Sequence, residues 1–235
     1  MPDKQIIVTG ASRGIGAAIA TDLARRGYDV VGLSRSGETP VGKGLRCDLT
    51  DETALRAAVA EVATWGRIVG LVNNAGAHKA TPSAQLEAAE IEQAMRLNAI
   101  MPFVACREVF PHLKASGSGL IVNIGSFFDK IGVAGNVAYC ASKAAIGAMT
   151  RCLAVEWARD NVRVIDVAPG YIETDLNRDF LARDKVKAWI GNRIPTGRPG
   201  QPEEVARFVG LLFAEEITFL NGETIYIDGG QGMNH

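Results

Sequence analysis

No apolar run in this 235-residue sequence reaches the roughly 18 residues needed to cross a bilayer, so no helical membrane span is expected. Excess charge is missing too: 25 basic residues stand against 26 acidic ones, a formal net charge of −1. That balance leaves no electrostatic footprint for nucleic acid or an anionic membrane, and no basic run is interleaved with aromatics. The four cysteines, Cys47, Cys106, Cys140 and Cys152, show no Cys-x-x-Cys spacing. They read as reduced thiols rather than disulfides or metal ligands. The three histidines, His78, His112 and His235, are far apart, which gives a metal site little support. Met1-Pro2-Asp3-Lys4 leads straight into a strand pattern with no signal-peptide layout, so a cytoplasmic protein is expected.

What the chain does have is apolar content. With 47% hydrophobic and 22% charged residues it can bury a large core. Its length fits one α/β domain over residues 1–235. Strand and helix patterns alternate throughout. Strands are predicted at 5–9, 29–34, 44–46, 68–73, 120–125, 162–168 and 224–228. Helices are predicted at 14–27, from about 51, and at 83–97, 103–115, 139–159 and 202–213. Residues 35–44 are too short and too rich in Gly and Pro for a crossover helix and read as a loop. This alternation implies a doubly wound parallel sheet with right-handed crossovers and helices on both faces. Ligands in such sheets sit beyond the strand C-termini, where strand order reverses.

Thr9-Gly10-Ala11-Ser12-Arg13-Gly14-Ile15-Gly16 joins the first strand to the first helix. Gly10 permits a turn that a side chain obstructs, and Gly14 and Gly16 let backbone approach a pyrophosphate. The free N–H groups at the helix start then bind the anion. The alternative is a glycine-rich turn with no ligand. At the end of the second strand, Leu33-Ser34-Arg35-Ser36 lacks the acid that usually holds a ribose 2′-hydroxyl. Arg35 can instead bind a 2′-phosphate bidentately, with Arg13 as a second cation and Ser34 as a hydrogen-bond donor. NADP(H) is therefore expected over NAD(H), unless both arginines are ordinary solvated charges. In Cys47-Asp48-Leu49, Asp48 can meet the adenine amino group or cap the next helix. Asn73-Asn74-Ala75-Gly76 lets backbone pass close to a ribose, and is also simply a good turn.

Tyr139-Cys140-Ala141-Ser142-Lys143 puts a phenol and an ammonium on one helical face. A free phenol has a pKa near 10, so about one in a thousand is ionised at neutral pH. An ammonium about 4 Å away at a partly buried position favours the phenolate by roughly 1–4 kcal/mol, or about 1–3 pKa units. Ser126 can donate to the same substrate oxygen. The trio reads as proton-transfer machinery at a carbonyl or alcohol carbon.

Residues 9–16, 73–76, Ser126, 139–143 and Pro169-Gly170 together resemble the short-chain dehydrogenase/reductase family, in family order and spacing over essentially the whole chain. The resemblance implies a Rossmann-type seven-stranded parallel sheet of order 3-2-1-4-5-6-7. It also implies a ketone–secondary alcohol oxidoreductase with Tyr139 as general acid/base. Lys143 is then the residue that lowers the phenol pKa and binds the nicotinamide ribose, and Ser126 holds the substrate oxygen. Asn98 matches the family asparagine of a water-mediated proton relay; otherwise it merely interrupts a helix. The segment Pro169-Gly170-Tyr171-Ile172-Glu173-Thr174 matches the one that touches the carboxamide and pyrophosphate. The implied cofactor contacts are Gly10, Ser12, Arg13, Gly14, Ile15, Gly16, Ser34, Arg35, Asp48, Leu49, Asn74, Ala75, Gly76, Tyr139, Lys143, Pro169, Gly170, Ile172 and Thr174. Asp166 is a departure, where the family often has Asn.

Residues 172–200 match the segment that covers substrate. With Phe127, Phe128, His78, Phe180 and Trp189 they suggest an aromatic pocket for a moderately apolar small-molecule ketone or alcohol. Core packing is the alternative for each aromatic. A 3-oxoacyl-(acyl-carrier-protein) reductase is a second reading, weakened because such reductases present Arg where this chain has Leu120 and Asp160. An NAD-dependent alcohol or diol dehydrogenase and a nucleotide-binding regulator are further alternatives, though regulators of this family usually lose the Tyr or the Lys. The family also implies a homotetramer, or else a dimer, formed through helix 139–159 and strand 224–228.

Overall fold

The computed structural model describes residues 4–175, 177–215 and 217–233; Met1, Pro2, Asp3 and His235 lie outside them. The strands are β1 (Lys4–Thr9), β2 (Asp29–Ser34), β3 (Lys43–Arg46), β4 (Arg67–Asn73), β5 (Gly119–Ile124), β6 (Val162–Pro169) and β7 (Thr224–Ile227). They form one all-parallel sheet of order β3-β2-β1-β4-β5-β6-β7, as expected. Order reverses between β1 and β4, so the crevice lies above their C-terminal ends.

The helices are α1 (Gly14–Arg25), α2 (Glu52–Ala63), α3 (Ala88–Met95), α4 (Met101–Ala115), α5 (Val137–Trp157), α6 (Arg178–Leu181), α7 (Asp184–Arg193) and α8 (Pro202–Ala214). The alternation of β1 distributes its side chains between two cores. Ile6 and Val8 pack with Ile19, Leu23, Val205 and Val209 of α1 and α8. Ile7 packs with Leu55, Val59, Val104 and Val109 of α2 and α4 and with Leu153 of α5. Each such fully buried aliphatic side chain contributes roughly 1.5–3 kcal/mol against leaving it exposed.

The predicted helix at 83–97 is not one helix. A 3₁₀ turn at Ser83–Gln85 precedes α3, and a π-helical turn at Arg96–Ile100 joins α3 directly to α4. Residues 35–42 hold no helix, as read from their glycine and proline content. The cap of α2 is Asp51, which accepts from Thr53 N and Ala54 N at 2.8 and 3.2 Å. Asp48 therefore does not cap it; its Oδ1 accepts from Thr50 N and Oγ1 in a tight local turn.

Candidate active site

The glycine turn closes against the end of β4. Gly10 and Gly14 both adopt positive φ, +68° and +58°. A Cβ on Gly16 would run into Gly10 O and Asn74 Nδ2, so only glycine lets α1 start directly on the turn. Asn74 Nδ2 donates to Thr9 O at 3.0 Å and to Gly10 O at 3.3 Å. Thr9 Oγ1 accepts from the N–H groups of Asn74 and Ala75. This Thr9 role has no signal in the motif itself. α1 begins with no side-chain cap and no acid in its first turn, which leaves its N-terminus suited to an anion. The turn, the close glycine packing and the uncapped helix fit a dinucleotide pyrophosphate. Thr174 approaches Gly14, and a cavity of ≈ 510 Å³ opens there, lined by Ser12, Arg13, Gly14 and Thr174 among others.

At the nucleotide end, Arg13 and Arg35 are exposed and make no ion pair within 4 Å among the described residues. Arg35 lies within the field of Asp48. Two of the expected contact residues turn their side chains into the protein. Ser34 is buried, donates to Glu38 O at 3.1 Å and accepts from Gly37 N at 3.0 Å, so its hydroxyl is spent inside the loop. The Leu49 side chain belongs to the core beneath α2 rather than to the crevice surface.

The chemical end is assembled from β5 and α5. Ser126 follows β5 and is buried; its hydroxyl faces the Tyr139 phenol closely enough to pull the phenol pKa down, and it accepts from Phe128 N. Lys143, one turn further along α5, is buried and donates to Ile124 O at 2.7 Å. Gly76 abuts both Asn98 Oδ1 and Lys143 Nζ, which brings the Asn-Asn-Ala-Gly turn to the catalytic helix. Asn98 sits in the π-helical turn and is locked at both ends. Its Oδ1 accepts from Ala77 N at 2.9 Å, and its Nδ2 donates to Ala77 O at 2.9 Å and Ser142 Oγ at 3.1 Å. A π turn at such a position is a frequent functional device.

The electrostatics differ from the expected pairing. Lys143 Nζ lies 5.7 Å from the Tyr139 ring centroid and commits one of its three N–H donors to Ile124 O. Burial pushes the phenol above its ordinary value, and the Ser126 hydrogen bond opposes this. Burial also lowers the ammonium to about 8, against the pull of Asp166. The two groups share one desolvated site, and burial there disfavours the charged form of each.

Aromatics surround the phenol. His78 meets Tyr139 edge-on at 4.9 Å, Phe128 meets it at 5.7 Å, and Tyr171 links Phe127, Phe128 and Trp189. Asn136 Oδ1 is hydrogen-bonded to His78 Nε2. Tyr171 and Asn136 were not read as pocket residues, because their contacts cross between segments. Phe180 instead sits half exposed against Arg183. The covering segment is laced at both ends: Glu173 N donates to Gly200 O and Gly200 N to Tyr171 O, both at 2.8 Å. Ile172 is buried at this closure.

A family model described as enoyl-(acyl carrier protein) reductase matches residues 10–232. The chain is 33% identical to the D-threitol dehydrogenase of Mycolicibacterium smegmatis, over 97% of this chain and 92% of that protein. It is 34% identical to the 3-oxoacyl-(acyl-carrier-protein) reductase FabG of Escherichia coli, over 98% of each. The chain belongs to the short-chain dehydrogenase/reductase family. As a short-chain dehydrogenase/reductase it is an oxidoreductase of CH–OH and C=O groups with a nicotinamide cofactor. A solved structure of a provisionally assigned NAD(P)-dependent gluconate 5-dehydrogenase from Beutenbergia cavernae, with NADP bound at low occupancy, superposes with a TM-score of 0.91. That match is 32% identical and covers 98% of this chain and 97% of that one. Among the described residues of this short-chain dehydrogenase/reductase, no helix is long and apolar enough to cross a membrane, and no cluster of His, Cys, Asp and Glu could hold a metal.

Proposed function

We propose that this short-chain dehydrogenase/reductase is an NADP(H)-dependent enzyme that reduces a small ketone to a secondary alcohol, with Tyr139 as the proton donor. The observation that carries the reading is the Ser126 hydroxyl facing the Tyr139 phenol beside buried Lys143, at the C-terminal end of β5, next to the β1/β4 crevice. A protonated phenol is the form that gives a proton to a carbonyl oxygen as it gains charge. Ser126 donates to the same oxygen and holds it. Asn98, fixed by Ala77, supports the water path that refills the proton. When bound, the nicotinamide supplies the hydride. The residues placed to hold it are the 10–16 turn, 74–76, Lys143 and the 169–174 segment. Arg13 and Arg35, free of ion pairs among the described residues and with no acid at the end of β2, favour a 2′-phosphate. The aromatic wall of Phe128, Tyr171 and Trp189 suits an apolar or CH-rich substrate face. Following absorbance at 340 nm with a panel of ketones, sugars and polyols, using NADPH and NADH in parallel, tests this. Turnover with NADPH is expected; no turnover with either cofactor would contradict it.

A 3-oxoacyl thioester is the second reading, favoured by the 34% identity to FabG. The argument against it from Leu120 and Asp160 does not survive. Leu120 is buried at the start of β5, and Asp160 precedes β6 and pairs with Lys114 at 2.9 Å. Both positions lie at the strand N-termini, opposite the site, where no carrier domain reaching Tyr139 would touch them.

A further inference from the structure

Among the described residues, Asp166 and Lys143 are the only buried charged residues, and they carry opposite signs. Burying a charge without a partner is costly, so two such charges in one core are expected to answer each other. The geometry around them is continuous. Lys143 donates to Ile124 O at 2.7 Å. The next residue, Gly125, has its Cα face filled by the Asp166 carboxylate; a Cβ there would run into Oδ1. The residue after that is Ser126. Gly147, one turn beyond Lys143 on α5, leaves room for Asp166 Oδ2 from the other side. Oδ2 accepts from Thr224 Oγ1 at 3.1 Å, whereas Oδ1 has no full hydrogen bond; the Gly125 N–H is committed to Val167 O at 2.8 Å.

We propose that Asp166 is a positioning residue: its carboxylate, seated behind Gly125, is the counter-charge that keeps the Lys143 ammonium protonated at the Ile124–Ser126 edge of the site. The proposal rests on the reading that Lys143 serves Tyr139. Burial lifts Asp166 to about 7 and lowers Lys143 to about 8, and each charge partly offsets the other's shift. The other groups facing the carboxylate are few. Arg151 flanks Gly147 from α5, and Asp129 adds like charge from the turn after β5. Tyr226 of β7 is kept neutral by its own burial and by its hydrogen bond to Asp129. Lys130 stacks on the Tyr226 ring at 3.6 Å.

The test is a pH titration of Lys143 in the full chain by NMR of carbon-13-labelled lysine, with the signal assigned by its loss in Lys143→Arg. No substrate is needed. The midpoint in the unaltered chain is expected near 8. The isosteric Asp166→Asn should lower it by about one pH unit, the low end of what a nearby opposite charge does, because the carboxylate that raises the ammonium is then gone. Thr224→Val removes the donor to Oδ2 and leaves less of the carboxylate ionised, so it should lower the midpoint by a smaller amount. It also carries the test if Asp166→Asn fails to fold. The alkaline limb of kcat/KM for ethyl acetoacetate reduction by NADPH should follow the same order. A Lys143 midpoint unmoved in both variants overturns the proposal, as does a loss of activity equal at every pH. Tyr139→Phe in the same assay keeps the two readings apart. Activity surviving there overturns the role of Tyr139, while an inactive Tyr139→Phe with an unmoved Lys143 midpoint overturns only the role of Asp166.

Discussion

Removing the Arg35 guanidinium tests cofactor choice most sharply. Arg35 follows β2, is exposed, and forms no ion pair within 4 Å among the described residues, so nothing in the fold depends on it. A ribose 2′-phosphate carries nearly two negative charges. A charge-assisted hydrogen bond to it is worth roughly 1.5–3 kcal/mol, and solvent at this exposed position points to the low end of that range. Asp48 adds a second effect. Its carboxylate is held below the usual range first by the Thr50 hydrogen bonds and then by Arg35 and Arg96, so it stays ionised. Without Arg35 that charge faces an incoming phosphate with less opposition. Arg35→Ala should therefore weaken NADPH binding by at least roughly tenfold, since 1.4 kcal/mol corresponds to a factor of ten. NADH binding should change by less than about twofold, because a 2′-hydroxyl makes no ionic contact. Kd values for both cofactors, from quenching of intrinsic fluorescence at low and moderate salt, measure the difference, which should shrink as salt rises. Equal weakening of both cofactors, or an unaltered chain that already prefers NADH, would refute the reasoning.

Ser34→Ala should leave the NADPH-to-NADH preference within about twofold while costing about 1–2 kcal/mol, because the three hydrogen bonds it loses lie inside the 34–38 loop. Thermal melts should show this as a Tm drop of a few degrees. Asn98→Ala strips the Ala77 N–H and C=O of their partners, so a loss of about 1–3 kcal/mol in stability and a larger fall in kcat than in KM are expected from melts and steady-state kinetics. A homotetramer is expected from light scattering at micromolar concentration, since Val155, Ala144 and Ala148 of α5, Phe103 of α4 and Phe219 near β7 all leave apolar surface exposed; a monomer would contradict it.

The sheet and the glycine turn were legible because their signals are local. β-branched runs alternate with 3.6-residue periods, and only glycine fits where Gly16 of α1 packs on Gly10 O. Tyr139 and Lys143 were legible from a four-residue spacing on one helix. What escaped depends on groups distant in the chain. The π turn at Asn98 is stabilised by Ala77, some twenty residues earlier, so helix propensity alone divided the region wrongly. Ser34 looked free because its partners lie in a loop with no periodic pattern. The four-residue spacing of Tyr139 and Lys143 is silent about Ile124 O, the carbonyl that the ammonium meets. Nothing in the sequence around Leu120 and Asp160 tells which end of the sheet they occupy. The complete burial of Asp166 has no sequence signal beyond its place among Val164, Ile165, Val167 and Ala168, which mark a strand covered on both faces.

Tyr139→Phe tests the central claim most directly. The ring keeps its edge-on contacts with His78 and Phe128, and only the hydroxyl that meets Ser126 is lost. General acid catalysis of this kind is worth about 10²–10⁴-fold. Measured at 340 nm on any ketone the unaltered chain reduces, kcat should fall by about a hundredfold or more, with the NADPH Kd and the melting temperature nearly unchanged. A variant that keeps near-native kcat would contradict the account, because the proton would then come from a group other than Tyr139.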